Sequence, residues 1–226
     1  MDYGLLLFVL PAFLFALYAQ ARVRSAAERF SRVMASIGKT GAQVAEELLR
    51  AAGIRDVQVS RAQGYLSDHY DPRQRVLRLS PAVHDGYSLT ALGVAAHETG
   101  HALQHATGYA PLAFRNRLVP VANLGSQAAF PLFIVGLFMG SGTLMNVGLI
   151  LFLGAVIFTA ITLPVEYNAS SRALAALEAG GYLRTEGEMR GARAVLDAAA
   201  LTYVAALAMA LAQLLRMLML ARSRED

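Results

Sequence analysis

The chain alternates between long apolar runs and two polar stretches. Residues 4–20, GLLLFVLPAFLFALYAQ, carry no charge, and a run of that length predicts one membrane-spanning helix. Residues 21–117 are polar enough to fold in water. Within them AAERFSRVMASI and TGAQVAEELLRAAG have helical periodicity, the second with Thr40 placed to cap it and Gly53 to end it. DVQVS (56–60) and RVLRLS (75–80) read as short strands, with the turn-rich YLSDHYDPRQ between them. Ser88 is positioned to cap a helix from Leu89 to Ala106, with Gly108 just past its end. From 118 to 165 there is no charge and no histidine, and GSGT (140–143) interrupts the run, which predicts a hairpin of spans at 120–139 and 144–164. Residues 166–198 are polar again, with a Gly-Gly loop at 180–181, and the last apolar run, 199–221, predicts a fourth span.

Arginines set the expected orientation. Arg22, Arg24, Arg29 and Arg32 follow the first run, Arg115 and Arg117 precede the hairpin, and Arg172 follows it. Positive charge concentrates on the cytoplasmic side, so both polar stretches are expected in the cytoplasm and the N-terminus outside. Because charge follows the first apolar run instead of preceding it, a cleaved signal peptide fits poorly. Arg222 and Arg224 fall on the side that parity would place outside, and a helix lying along the membrane surface is the rival reading for the last run.

Composition narrows the class. The chain has 226 residues, 56% hydrophobic and only 16% charged, which is too apolar for an ordinary soluble domain. Its net charge is +4, but no basic run is interleaved with aromatics, which argues against nucleic-acid binding. There is no cysteine. Disulfides and thiolate sites are therefore excluded, and any metal must be held by histidine and carboxylate.

The chemistry is concentrated in HETGHALQH, which holds His97, His101 and His105, three of the chain's five histidines. His97-Glu98-x-x-His101 is an HExxH motif. On a helix, residues four apart share a face about 6 Å apart along the axis, so two imidazoles can converge on one zinc ion. Glu98 follows His97 by about 100° and can serve as general base. Leu89, Leu92, Ala96 and Leu103 are expected to form the packed face, opposite the histidines. His105 lies about 12 Å along the axis from His97, too far to share the ion. Gln104 and Thr107 stand where a metzincin needs glycine and histidine, which excludes that class. A distant carboxylate is the expected third ligand. Glu166, in LPVEYNASSRAL, is the best candidate, a boundary carboxylate paired with Arg172 is its bland alternative, and Asp68, Asp71 and Asp85 are weaker rivals.

In TGAQVAEELL, LSDHYDP, VAAHETGHALQHATGYAPL and LPVEYNASSRAL, nearly the whole chain resembles the YugP-like family of bacterial membrane zinc metallopeptidases. More distantly it resembles gluzincins of the HtpX type. The resemblance implies a mainly α-helical integral membrane protein with about four transmembrane helices and a small α+β gluzincin-like cytoplasmic catalytic domain in the bacterial inner membrane. It implies that His97, His101 and Glu166 bind Zn2+ and that Glu98 is the catalytic base. The expected activity is endopeptidase cleavage of membrane or membrane-proximal proteins at the cytoplasmic face, the partners being a protein or peptide substrate and the lipid bilayer. A non-enzymatic scaffold with a structural His2Glu metal is the alternative. One position departs from the HtpX pattern: Ser170 stands where those enzymes place an acid that orients a ligand histidine, with Asn168, Ser170 and Arg172 as possible substitutes. Arg172, Tyr167, Tyr203 and His69 are candidates for oxyanion stabilisation, and RVLRLS for alignment of an extended substrate by edge pairing.

Overall fold

The structure, a computed structural model, describes residues 5–64 and 67–223. Gly4 of the first expected span, Tyr65 and Leu66 of the expected turn, and Arg224 lie outside the described residues. The chain is mainly helical. After a π-helical turn at Leu5–Val9, the elements are α1 (Leu10–Ser31), α2 (Gly41–Ala51), β1 (Gln58–Arg61), β2 (His69–Asp71), β3 (Val76–Leu79), α3 (Pro81–His84), α4 (Leu89–Ala106), α5 (Ala110–Met139), α6 (Gly142–Ala179) and α7 (Glu186–Arg222). They divide into two compact units, one of residues 1–20, 111–164 and 201–226, the other of residues 21–110 and 165–200.

The first unit is apolar outside as well as inside. Leu7, Leu14, Phe138 and Ile150 are all more than half exposed, which is unfavourable in water over so much surface and natural in lipid. Among the described residues, three helices are long and apolar enough to cross a membrane, and a fourth if the two parts of α5, Ala110–Pro120 and Gly125–Met139, form one bent span. These parts meet at 49°, beside Pro120, which has no amide hydrogen to continue the helical ladder. With no hydrophobic force to drive helices together in lipid, small residues allow close packing. A Cβ at Gly148 would lie 2.7 Å from the Ala129 carbonyl oxygen, so α5 and α6 approach nearly backbone to backbone there. Phe133, Met145 and Met217 fill the centre of this unit.

The second unit is built around α4. Ser88 caps it by accepting from the Ala91 amide, and Gly108, at φ 62°, lies just past its end. On one side Leu89, Leu92 and Ala96 pack with Val44, Leu48, Ala173, Leu177 and Leu196. On another, Ala95 and Ala102 pack with Ala45, Leu49, Leu77 and Leu79. Leu89, Leu92 and Ala96 form the packed face as expected, Leu103 is only half-buried, and a second buried face made of alanine is added to it. Helix α2 supplies much of this packing. Its buried Val44, Ala45, Leu48 and Leu49 recur at helical spacing, and Thr40 with Gln43 forms a full capping box at its start.

Several expectations are corrected. The residues AAERFSRVMASI do not form a separate helix: α1 runs unbroken to Ser31, because no glycine or proline intervenes after the apolar run. RVLRLS is no edge strand. β3 is central in the order β1-β3-β2, parallel to β1 and antiparallel to β2. The short strand β2 falls in the segment expected to be a turn. Helix α6 runs on past the expected span, through Pro164 to Ala179, and α7 begins at Glu186, ahead of the apolar run at 199–221, so each helix contains the stretch expected to span.

Candidate metal centre

Every residue of the candidate centre belongs to the second unit. His97 and His101 sit one turn apart on α4, and Glu166 lies on α6. One ligand atom from each of the three comes within 4.8 Å of the others. The Glu166 Oε2 atom is 3.2 Å from His97 Nε2 and 3.5 Å from His101 Nε2. Four donors around zinc at about 2.0–2.1 Å would stand roughly 3.4 Å apart, so both measured separations suit one tetrahedral ion. The donor set, two imidazoles and a carboxylate, is chemically right for zinc as well. Glu166 is 2% exposed, and a carboxylate so buried needs positive partners.

A glycine brings the two helices together. Gly100 lies inside HETGH, and a Cβ there would fall on the Ala169 carbonyl oxygen and lie 3.0 Å from its carbonyl carbon. Ala169 stands between Glu166 and Ser170 on α6. The close approach at Gly100 thus places both of those side chains beside the histidines.

Each histidine is held from behind. His97 Nδ1 lies 3.1 Å from Ser170 Oγ, and His101 Nδ1 lies 3.0 Å from Gln104 Oε1. Both rings therefore direct Nε2 at Glu166, as metal-binding histidines do when their second nitrogen is anchored. Ser170 takes up the contact to His97 at the position where HtpX-type enzymes place an acid. Burial opposes the charged form of His101, yet the Glu166 hydrogen bond, with the Glu98 carboxylate and Gln104 adding to it, holds its pKa above the ordinary imidazole range. Surroundings that favour a proton on this ring also favour a metal cation.

The other candidates are not among the three grouped residues. His105 Nδ1 lies 2.8 Å from the Tyr70 hydroxyl on β2, outside the three-residue group. Asp68 accepts from the Ser80 amide and hydroxyl, Asp71 from the Arg73 and Gln74 amides, and Asp85 pairs with Arg61 and His84. Arg172 Nε donates to Asn168 Oδ1, and its guanidinium lies over the Tyr109 ring. Among the described residues no second acid joins the histidines and Glu166. His69 is exposed and bonded to the Ser67 carbonyl, Tyr167 is 48% exposed, and Tyr203 belongs to the first unit. Gln104 is the site residue that sequence reasoning passed over. Its signal was a long amide three positions after His101, among alanines on a helix with little exposed surface.

No solved structure matches the chain. A protein of Bacillus subtilis (strain 168) named "Putative membrane protease YugP" is 47% identical over 209 residues, which is 92% of this chain and 92% of that protein. The family model described as "Putative neutral zinc metallopeptidase" matches residues 5–222. With the match running nearly end to end, the chain belongs to that zinc metallopeptidase family.

Proposed function

We propose that the chain is a zinc-dependent endopeptidase of the gluzincin type, which hydrolyses peptide bonds of membrane or membrane-proximal proteins at the cytoplasmic face of the bacterial inner membrane. The observation that carries this reading is the convergence of His97 and His101 of α4 with Glu166 of α6, with Glu98 next to His97 on α4. His97 and His101 would hold zinc through Nε2 and Glu166 through its carboxylate. Bound zinc supplies a Lewis acid that polarises the scissile carbonyl and makes water acidic near neutral pH. Glu98, partly exposed on the same helix, accepts a proton from the attacking water and delivers it to the leaving amine. Ser170 and Gln104 keep the imidazoles aimed while this happens. A structural zinc takes four protein ligands, whereas a catalytic one takes three and leaves a position open. The group of three found among the described residues favours catalysis over a scaffold.

Since β3 is paired on both sides, an extended substrate aligns on β2 instead. Tyr70 of β2 bonds to His105 of α4, which ties that edge strand to the helix bearing the motif. Cytoplasmic placement rests on the arginines flanking the apolar runs. Membrane-proximal substrates are supported by the candidate spans in the chain and by the Bacillus relative's name, "Putative membrane protease YugP".

Replacing Glu98 with Gln tests the mechanism, because an amide of the same shape cannot take the proton. Purified Glu98→Gln protein in detergent is expected to carry zinc like the parent and to lose hydrolysis of casein or a membrane protein by at least about a hundredfold. Retained cleavage would remove Glu98 from the base role.

A further inference from the structure

Two groups of fixed hydrogen-bonding character stand at the ends of a buried amide chain. Gln104, fully buried, places Nε2 2.7 Å from the Val165 carbonyl oxygen and 3.0 Å from Asn168 Oδ1. Arg172 Nε lies 2.8 Å from that same Asn168 oxygen. A backbone carbonyl can only accept, and a guanidinium can only donate. The Val165 carbonyl therefore requires the Gln104 NH2 group to face it. Arg172 independently requires the Asn168 oxygen to face it, and that oxygen then accepts from Gln104 as well. Both ends demand the same orientation. Gln104 consequently turns Oε1, an acceptor, toward His101 Nδ1 at 3.0 Å, and that nitrogen must carry the hydrogen. His97 differs, since the Ser170 hydroxyl 3.1 Å from its Nδ1 can donate or accept.

We infer that Gln104, oriented by Val165 and by Arg172 through Asn168, is a positioning residue that fixes neutral His101 as the Nδ1–H tautomer and presents its Nε2 lone pair to the metal site before any ion binds. This deepens the zinc reading above and rests on it for its consequence, but the tautomer itself does not depend on activity. Burial of the Gln104 amide, with its oxygen and its nitrogen both bonded, keeps the arrangement rigid. The ligand then binds without first exchanging a proton between its nitrogens. Histidine ligands that lose such a partner typically bind metal about 10–100-fold less tightly.

The test uses zinc-stripped full-length protein in detergent at alkaline pH, where His101 is neutral, with ring 15N shifts read by NMR. The parent is expected to show His101 with Nδ1 protonated and Nε2 bare. Asn168→Asp, which keeps an acceptor for both Gln104 and Arg172, is expected to preserve this pattern. Gln104→Leu should give mixed tautomers, and zinc affinity measured by chelator competition should fall about 10–100-fold with an unchanged helical circular dichroism spectrum. An Nε2–H tautomer in the parent overturns the inference without any variant. Parent-like zinc affinity in folded Gln104→Leu overturns it too. A parent that shows the Nδ1–H tautomer but binds no zinc would instead defeat the zinc reading and leave the tautomer standing.

Discussion

Single side chains decide how the second unit is fastened. Lys39, the lone lysine, places Nζ 2.6 Å from both carboxylate oxygens of Glu47, and the Tyr182 hydroxyl donates to Glu47 at 2.9 Å. The Lys39 ammonium holds the Glu47 carboxyl below its ordinary pKa of 4.5, against a smaller opposing effect of burial and with Tyr182 helping. Burial first, and then the Glu47 carboxylate, push the Tyr182 hydroxyl up to about 12. A depressed carboxyl stabilises the fold fully above its unfolded pKa and loses that contribution as pH falls through the lower folded value. Glu47→Gln is therefore expected to unfold about 1 kcal/mol more easily than the parent at neutral pH, a small figure because both partners are about one-third exposed. The gap should close below pH 4.5. Denaturant unfolding of both proteins across pH reads it, and a gap independent of pH would exclude the ion pair as its source. At this scale the sequence was readable where partners are local: Thr40 and Ser88 cap the helices expected of them. Ser170 with His97 and Gln104 with Asn168 join residues more than 60 positions apart, and no local pattern encodes such pairs.

Helix α4 shows what an element's sequence reveals and what it conceals. Its periodicity, its cap and the convergence of His97 and His101 on one face follow from helix geometry alone. The same geometry sets His105 apart from the group of His97, His101 and Glu166, and that ring reaches Tyr70 instead. Its second buried face was hidden because alanine and glycine carry little hydrophobic signal, although they mark where another backbone comes close. The central position of β3 also depended on β2, three residues long and too short to announce itself. Gly100 gives the sharpest consequence. Gly100→Ala adds a methyl where the Ala169 carbonyl already lies, so α4 and α6 must separate, at a cost of about 1–3 kcal/mol. Zinc content should fall with it, because Glu166 rides on α6. Gly93→Ala on the same helix meets only the Ala192 carbonyl at 3.9 Å, and should be neutral or stabilising by up to about 1 kcal/mol. Thermal unfolding and zinc content of the two variants compare them directly, and equal behaviour would mean that the contact at Gly100 does not set the helix spacing.

Across the whole molecule, apolar runs carried most of the legible information, since they act over long stretches rather than through particular contacts. The bent α5 and the passage of α6 through Pro164 were less visible, because proline reads as a break in sequence while a packed helix can tolerate it. Orientation is open to a direct test, helped by the absence of cysteine. With Ser60→Cys and Ser141→Cys introduced singly, an impermeant thiol reagent on intact cells is expected to label position 141 and spare 60, and the reverse pattern would invert the topology. The central claim is that two remote parts of the chain build one zinc site. It is tested most directly by zinc stoichiometry, by atomic spectroscopy after brief chelator challenge, of purified Glu166→Ala and His105→Ala. Glu166 meets both ligand histidines at 3.2 and 3.5 Å, whereas His105 faces Tyr70. Glu166→Ala should lose zinc and His105→Ala should hold it like the parent, whereas zinc retained by Glu166→Ala and lost from His105→Ala would contradict the His97, His101 and Glu166 site outright.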